Sequence, residues 1–364
     1  MSNFIPVEYY TPVYYYVLLV LLSCTYIITQ TESINSDRNR SFMKNIGVLT
    51  LVFTIFFMGL RPISGRYFGD TSTYYKYFVN YQHGADIEPG LDYLFHIFTK
   101  ACSKIMDSET YFLTCALLYI VPLYFACKAW FKKYWPYAFL FLVISFSFWA
   151  AGTNGMRSAI ASSFVLLAIS RKNIFYTILW FLLAIGFHKS MLLLAGAYCL
   201  TLVVKNPKWY FYGWLVCIPL SLIAANFWQT LFAGLIDDDR VSYLTQGNIN
   251  GDNFSSTGFR WDFLLYSSAA VYASYYFIYQ RNFVDNAYFR LVNIYLTTNA
   301  FWILVIQANF SNRFAYLSWF IMGIIICYPL LKELVLRNQN KKTGYIMLAY
   351  FSFTFLMNVI LSKL

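Results

Sequence analysis

Residues 136–170 read PYAFLFLVISFSFWAAGTNGMRSAIASSFVLLAIS, and this stretch decides the fold class. Two apolar runs, 136–152 and 155–170, meet at Gly152-Thr-Asn-Gly155, and Arg157 is the one charged residue in the whole stretch. Such runs suit a bilayer far better than water. The same texture extends in both directions. Of 364 residues, 59% are hydrophobic, 22% aromatic and 12% charged. A soluble domain carries roughly 25% charged residues. That gap excludes an ordinary soluble protein, and a disordered chain or a disulfide scaffold would need a different composition.

Further apolar runs lie at about 10–30, 46–60, 109–128, 174–188, 190–204, 209–228, 261–280, 290–307, 314–331 and 344–361. The expectation is an all-α, polytopic integral membrane protein with about 12 transmembrane helices, folded as a single membrane domain over 1–364. About twelve spans of roughly 20 residues would use about 240 residues, so no large soluble domain fits beside them. The segment 90–106 differs. Leu91, Leu94, Phe95, Phe98 and Cys102 share one face, while Asp92, Lys100 and Lys104 break the rest. That pattern predicts an interfacial or re-entrant helix.

The net charge of +11 does not point to nucleic acid, because Lys and Arg fall between the apolar runs. They read instead as topology signals. With 90–106 kept out of the count, one alternate set of loops holds sixteen of the 27 basic residues, from Arg38, Arg40 and Lys44 to Lys332, Arg337, Lys341 and Lys342. Those loops are expected in the cytoplasm and both termini outside. No basic residue precedes Arg38, so the first run is read as a retained span rather than a cleaved signal. The longer loops, about 61–90 and 229–260, then fall on the outer side. The seven Cys form no CxxC pair, and most lie in apolar runs, where Cys acts as a small hydrophobe.

Ionisable residues near spans usually have a partner or a task. On this topology Arg66, Asp70, Glu88, Arg157, His188, Arg240, Arg260, Asp262 and Arg313 gather at one membrane face. Arg157, Arg260 and Arg313 each begin a span, and Arg66 and Arg240 lie in outer loops. Several guanidinium forks beside helix N-termini suggest an anion site, with a diphosphate at the membrane surface as the natural ligand. For each residue a plainer reading stands beside this one. The segment 66–74 also reads as a polar loop, Glu88-Pro-Gly90 as a helix start, His188 as a hydrogen-bonded structural residue, and Arg260 with Asp262 as a local pair. Asp237-Asp-Asp239 has a spacing that can hold a metal–diphosphate, although three loop acids are usually just solvated. No HExxH, P-loop or GxSxG is present, and His83, His96 and His188 lack metal-ligand spacing. No metal and no cofactor are expected.

Taken in order, Arg66…Gly69-Asp70-Thr71…Tyr74, Glu88-Pro89-Gly90, Met156-Arg157…Ile160-Ala161 and Phe187-His188-Lys-Ser190 resemble the EpsG family of Wzy-type polymerases for exopolysaccharide, capsule and O-antigen. The resemblance covers roughly residues 60–320. Ser158 departs from it, because a Gln is expected after the Arg. The resemblance implies a GT-C-like glycosyltransferase of the bacterial inner membrane with its site facing the periplasm or exterior. Its substrate would be a polyprenyl (undecaprenyl) diphosphate-linked oligosaccharide, in the lipid bilayer, with a chain-length regulator protein as a possible partner. The growing glycan would leave its lipid diphosphate for a sugar hydroxyl on the next unit. Asp70, then Glu88, then His188 are the expected proton acceptors. Arg66, Arg157, Arg240, Arg260 and Arg313, with Thr71 and Tyr74, are expected around the diphosphate and substrate. The rivals are an O-antigen ligase-like transferase and a flippase for lipid-linked glycan. A flippase should carry charges through mid-span, whereas here they cluster at the ends. His188 alone keeps a membrane acyltransferase open.

Overall fold

A computed structural model of the chain describes residues 5–88, 92–233, 258–308 and 311–361. The regular elements among the described residues are all helices. In chain order they are α1 (Tyr10–Thr31), α2 (Asp37–Gly59), α3 (Gly65–Phe68), α4 (Thr71–Gln82), α5 (Tyr93–Ile105) and α6 (Ser108–Phe131). Then follow α7 (Trp135–Val143), α8 (Phe146–Thr153), α9 (Met156–Ile169), α10 (Ile174–Phe187), α11 (Met191–Val203) and α12 (Pro207–Ile223). The last are α13 (Ala225–Ala233), α14 (Trp261–Tyr275), α15 (Asn286–Leu304), α16 (Asn312–Lys332) and α17 (Gln339–Phe355). The chain divides into two compact units, one of Met1–His188 with Leu330–Leu364 and one of Lys189–Pro329.

In the first unit α6 packs against α2 and α9, α9 against α10, α1 against α17, and α4 against α5. Side-chain caps fix two of these helix starts: Ser36 Oγ accepts the Asn39 N–H at 3.1 Å, and Asp107 Oδ1 accepts the Thr110 N–H at 2.8 Å. Gly59 lets α2 approach α6, because a Cβ there would stand 2.8 Å from the Leu113 Cα. Aromatic rings fill the space between α1, α2 and α8, with Tyr14 stacked on Trp149 at 4.3 Å and on Phe53 at 6.0 Å.

The second unit packs α15 against α11 and α12. Its interior holds a polar node. Trp214 Nε1 donates to Asn299 Oδ1 at 2.7 Å, and Asn299 Nδ2 donates to Ser318 Oγ at 3.0 Å and Ser267 Oγ at 3.3 Å. Trp319 Nε1 also donates to Ser267, at 2.6 Å. Four helices, α12, α14, α15 and α16, are joined there by groups that would otherwise be stranded in an apolar interior.

Five stretches are long and apolar enough to cross a membrane: Val7–Thr31, Asp37–Gly59, Ser108–Val143, Asn312–Lys332 and Gln339–Ile360. A sixth arises if α12 and α13, bent by 107°, form one broken span. Large apolar side chains such as Leu182, Val216, Ile223 and Leu265 stand on exposed faces, where hydrocarbon can receive them. The chain is a multi-pass membrane protein. The expected count of about twelve goes beyond these spans for a physical reason. The runs 155–170, 174–188 and 190–204 become α9, α10 and α11, of 14, 14 and 13 residues. A full crossing takes about 20. The run 209–228 breaks at Ala224, and 109–128 continues into the start of 136–152. The segment 61–90, expected as a loop, carries α3 and α4. Most of 229–260 lies outside the described residues.

Candidate functional site: a buried carboxylate holding an arginine and a histidine

Within the segment 90–106, Tyr93–Ile105 forms α5, with Phe95, His96, Thr99, Cys102 and Ser103 buried. Asp92 stands just before it. An Asp at that position commonly caps a helix through its side chain, but this one makes no such cap bond. Its buried carboxylate turns to two other helices. Arg157 Nη1, from the first turn of α9, donates to Asp92 Oδ2 at 2.9 Å. His188 Nδ1, at the C-terminal end of α10, lies 2.8 Å from the same oxygen. With its proton on Nδ1 the imidazole donates there, and Nε2 becomes the basic nitrogen. Arg157 keeps 20% of its side chain exposed, against 7% for Asp92 and 1% for His188. The guanidinium is therefore the most accessible of the three.

Helix α4 supplies the flank. Tyr74, buried, hydrogen-bonds to Arg157, and Tyr77 lies within electrostatic reach of it. The edge of Tyr77 meets the His96 ring at 4.8 Å, and Tyr81 Oη lies 2.7 Å from His96 Nδ1. Burial, reinforced by the Arg157 cation, pushes His96 down to about 4, so it is neutral at neutral pH.

Arg61 is buried against the rings of Phe68 at 5.8 Å and Phe112 at 5.4 Å, with Nη2 3.5 Å from the sulfur of Met156, the residue before Arg157. Arg61 Nη1 donates to the Met58 carbonyl at 2.7 Å. Its Nη2 donates to Thr71 Oγ1 at 2.8 Å and to the Thr153 carbonyl at 3.1 Å. Burial lowers the guanidinium to about 10, and it stays charged at neutral pH. Thr71 Oγ1 in turn donates to the Thr153 carbonyl at 2.6 Å, and Asn154 Oδ1 accepts the Asp70 N–H at 2.8 Å. Gly69, at φ 52, lies so close to the Asn154 side chain that a Cβ would collide with it. The start of α4 is thus stapled to the turn between α8 and α9.

Residues 44–364 match the family model of EpsG. The chain belongs to the EpsG family. That family is one of Wzy-type polymerases, and this member builds its cluster in the first unit. No curated protein and no solved structure shows a significant match to it.

Of the residues expected at the site of this EpsG-family chain, Arg157 and His188 converge on Asp92, and Tyr74 hydrogen-bonds to Arg157. Thr71 is wholly buried in the contacts to Arg61 and Thr153. Asp70 is half-buried at the start of α4, one turn before Tyr74. Arg66 is exposed, over the Tyr67 ring at 5.5 Å, and Glu88 is exposed. Arg260 and Arg313 belong to the second unit. Arg260 already engages Asp262 bidentately, at 2.9 and 2.6 Å. Pro89, Gly90, Asp237-Asp-Asp239 and Arg240 lie outside the described residues. Among the described residues no three His, Cys, Asp or Glu side chains gather in a metal-holding group.

Sequence reasoning missed three residues. It treated Asp92 as a charge that interrupts an apolar face, and it left His96 and Arg61 without a role. A signal for the first was present: Asp92 and His96 stand four apart at the start of the helix, hence on one face. Arg61 carried a weaker one, as a cation placed directly after an apolar span.

Proposed function

We propose that this protein is a polysaccharide polymerase that transfers a glycan from a polyprenyl diphosphate to a sugar hydroxyl of another lipid-linked repeat unit. What carries the reading is Asp92 Oδ2 holding both Arg157 and His188, from three different helices, within an EpsG-family chain. In the reaction the acceptor oxygen bonds to the anomeric carbon as the bond to the diphosphate oxygen breaks. His188, oriented by Asp92, takes the acceptor's proton on Nε2. Arg157, aimed by Asp92 and Tyr74, stabilises the charge that grows on the departing diphosphate. Asp70 stands one turn before Tyr74, at the start of the same helix. This ordering puts His188 ahead of Asp70 and Glu88, because His188 has an acid to orient it. The reading carries with it the inner-membrane, outward-facing, GT-C-like architecture that the family resemblance implies.

The test uses purified full-length protein, polyprenyl-diphosphate oligosaccharides of several repeat structures, and EDTA. A product ladder that persists in EDTA and disappears in His188→Gln and Arg157→Ala is the expected result. No ladder, with lipid-glycan scrambling across liposomes instead, would move the protein to the flippase class. Transfer of a single finished glycan to a non-polyprenyl acceptor would make it a ligase.

A further inference from the structure

Arg61 is a buried cation whose described hydrogen-bond partners are all uncharged: the Met58 and Thr153 carbonyls, the Thr71 hydroxyl and the Met156 sulfur at 3.5 Å. No ion pair forms at it among the described residues. A charge in such a place is costly, and the carbonyls and the two aromatic faces of Phe68 and Phe112 offset that cost only in part. A Met or Leu would fill the same volume without it, and such apolar replacements of buried charge are often neutral or stabilising. The guanidinium therefore earns its place by what its fork connects.

Its three oxygen acceptors come from three segments: the end of α2, the start of α4 and the end of α8. Two of those segments lead straight into the site. Thr71 lies three residues before Tyr74 on α4, and Met156 directly precedes Arg157 on α9. Tyr74 and Arg157 then meet each other. Arg61 thus stands at the root of both arms of the contact that aims Arg157. A monodentate Lys would reach one acceptor set or the other, not both, because only the planar fork offers Nη1 and Nη2 in fixed divergence.

We propose, on the polymerase reading above, that Arg61 is a positioning residue of the glycan transfer, whose fork sets α4 against the α8–α9 turn and thereby aims Arg157 at the reacting diphosphate. Arg61 touches no substrate in this scheme. Its loss displaces Arg157 in the transition state rather than weakening the capture of the lipid-linked donor.

The experiment measures kcat and KM for the lipid-linked donor in the full-length parent, Arg61→Met, Arg61→Lys, Thr71→Val and the Arg61→Met/Thr71→Val pair. Folded protein is counted by size-exclusion profile and thermal unfolding. Both Arg61 variants should lose about 10- to 100-fold in kcat per folded molecule while KM stays within about threefold, as expected for a misaimed group. Thr71→Val should lose kcat in the same manner, and the pair should be no worse than Arg61→Met alone, since both break one linkage. Parental kcat in folded Arg61→Met, a rise in KM at constant kcat, or losses that multiply in the pair would each overturn the proposal. If Arg61→Met does not accumulate, Thr71→Val decides, and full kcat in that variant overturns it. A parent without a ladder would remove the polymerase reading and this proposal together. A parent ladder matched by every variant removes this proposal alone.

Discussion

Asp92 shows how one oxygen can set two side chains at once. Arg157 needs a counter-charge and His188 needs a defined tautomer, and Oδ2 serves both. Asp92→Asn keeps the shape but removes the charge and places a competing N–H donor in the site. Turnover is expected to fall about 100-fold or more, in line with loss of a positioned proton acceptor. A gel ladder of parental length and rate in Asp92→Asn would sink the assignment. His96 yields a second prediction. Its folded-state value of about 4 lies below the roughly 6.5 of an unfolded imidazole. Between those values the unfolded chain binds the extra proton, so stability is complete above about pH 6.5 and declines as pH falls toward 4. Thermal unfolding of the detergent-purified protein at pH 7 and pH 5 should show that decline, and His96→Gln should flatten it. The groups around His96 that share its environment are Tyr77, Tyr81, Asp92 and Arg157. A slope identical in both proteins would assign the decline to other carboxylates.

At the scale of elements, α5 was legible and α4 was not. The expected helix 90–106 is Tyr93–Ile105, and Phe95 and Cys102 of its expected apolar face are buried. Helix α4 sits in a stretch read as a loop, because Tyr, Thr, Ser and Lys blur its hydropathy. Its signal was the helical spacing of Tyr74, Phe78 and Tyr81, all of which are buried. The staple between α4 and the α8–α9 turn predicts that Gly69→Ala is harmful twice over, through its positive φ and through collision with Asn154. A cost of about 1–3 kcal/mol is expected from the backbone strain alone, read as a lower unfolding midpoint together with reduced turnover. In the second unit, Asn299→Leu would strand the Trp214 N–H and remove a donor to Ser267 and Ser318. Destabilisation of about 1–3 kcal/mol follows from the unmet buried donor, and an unchanged midpoint would show that the node contributes nothing.

For the whole molecule, the charge pattern makes a claim that cysteine labelling can check. In a background without native cysteines, a Cys at Gly84 should react with an impermeant maleimide added outside intact cells. A Cys at Asn206, in the basic Lys205–Lys208 turn, should react only after permeabilisation. Both reacting from one side would overturn the expected orientation. Composition places a chain that is 59% hydrophobic and 12% charged in a membrane, and its long apolar runs specify helices there, because each such segment satisfies its own backbone polar groups. Motif order also led to the EpsG family, and with it to Arg157 and His188. Their common partner emerges only from the packing of the helices. Asp92 lies 65 residues from Arg157 and 96 from His188, and no local periodicity encodes contacts that long. The helix lengths were decided there too, because a short apolar run finishes its burial against neighbouring helices, and those neighbours are chosen by packing rather than by composition.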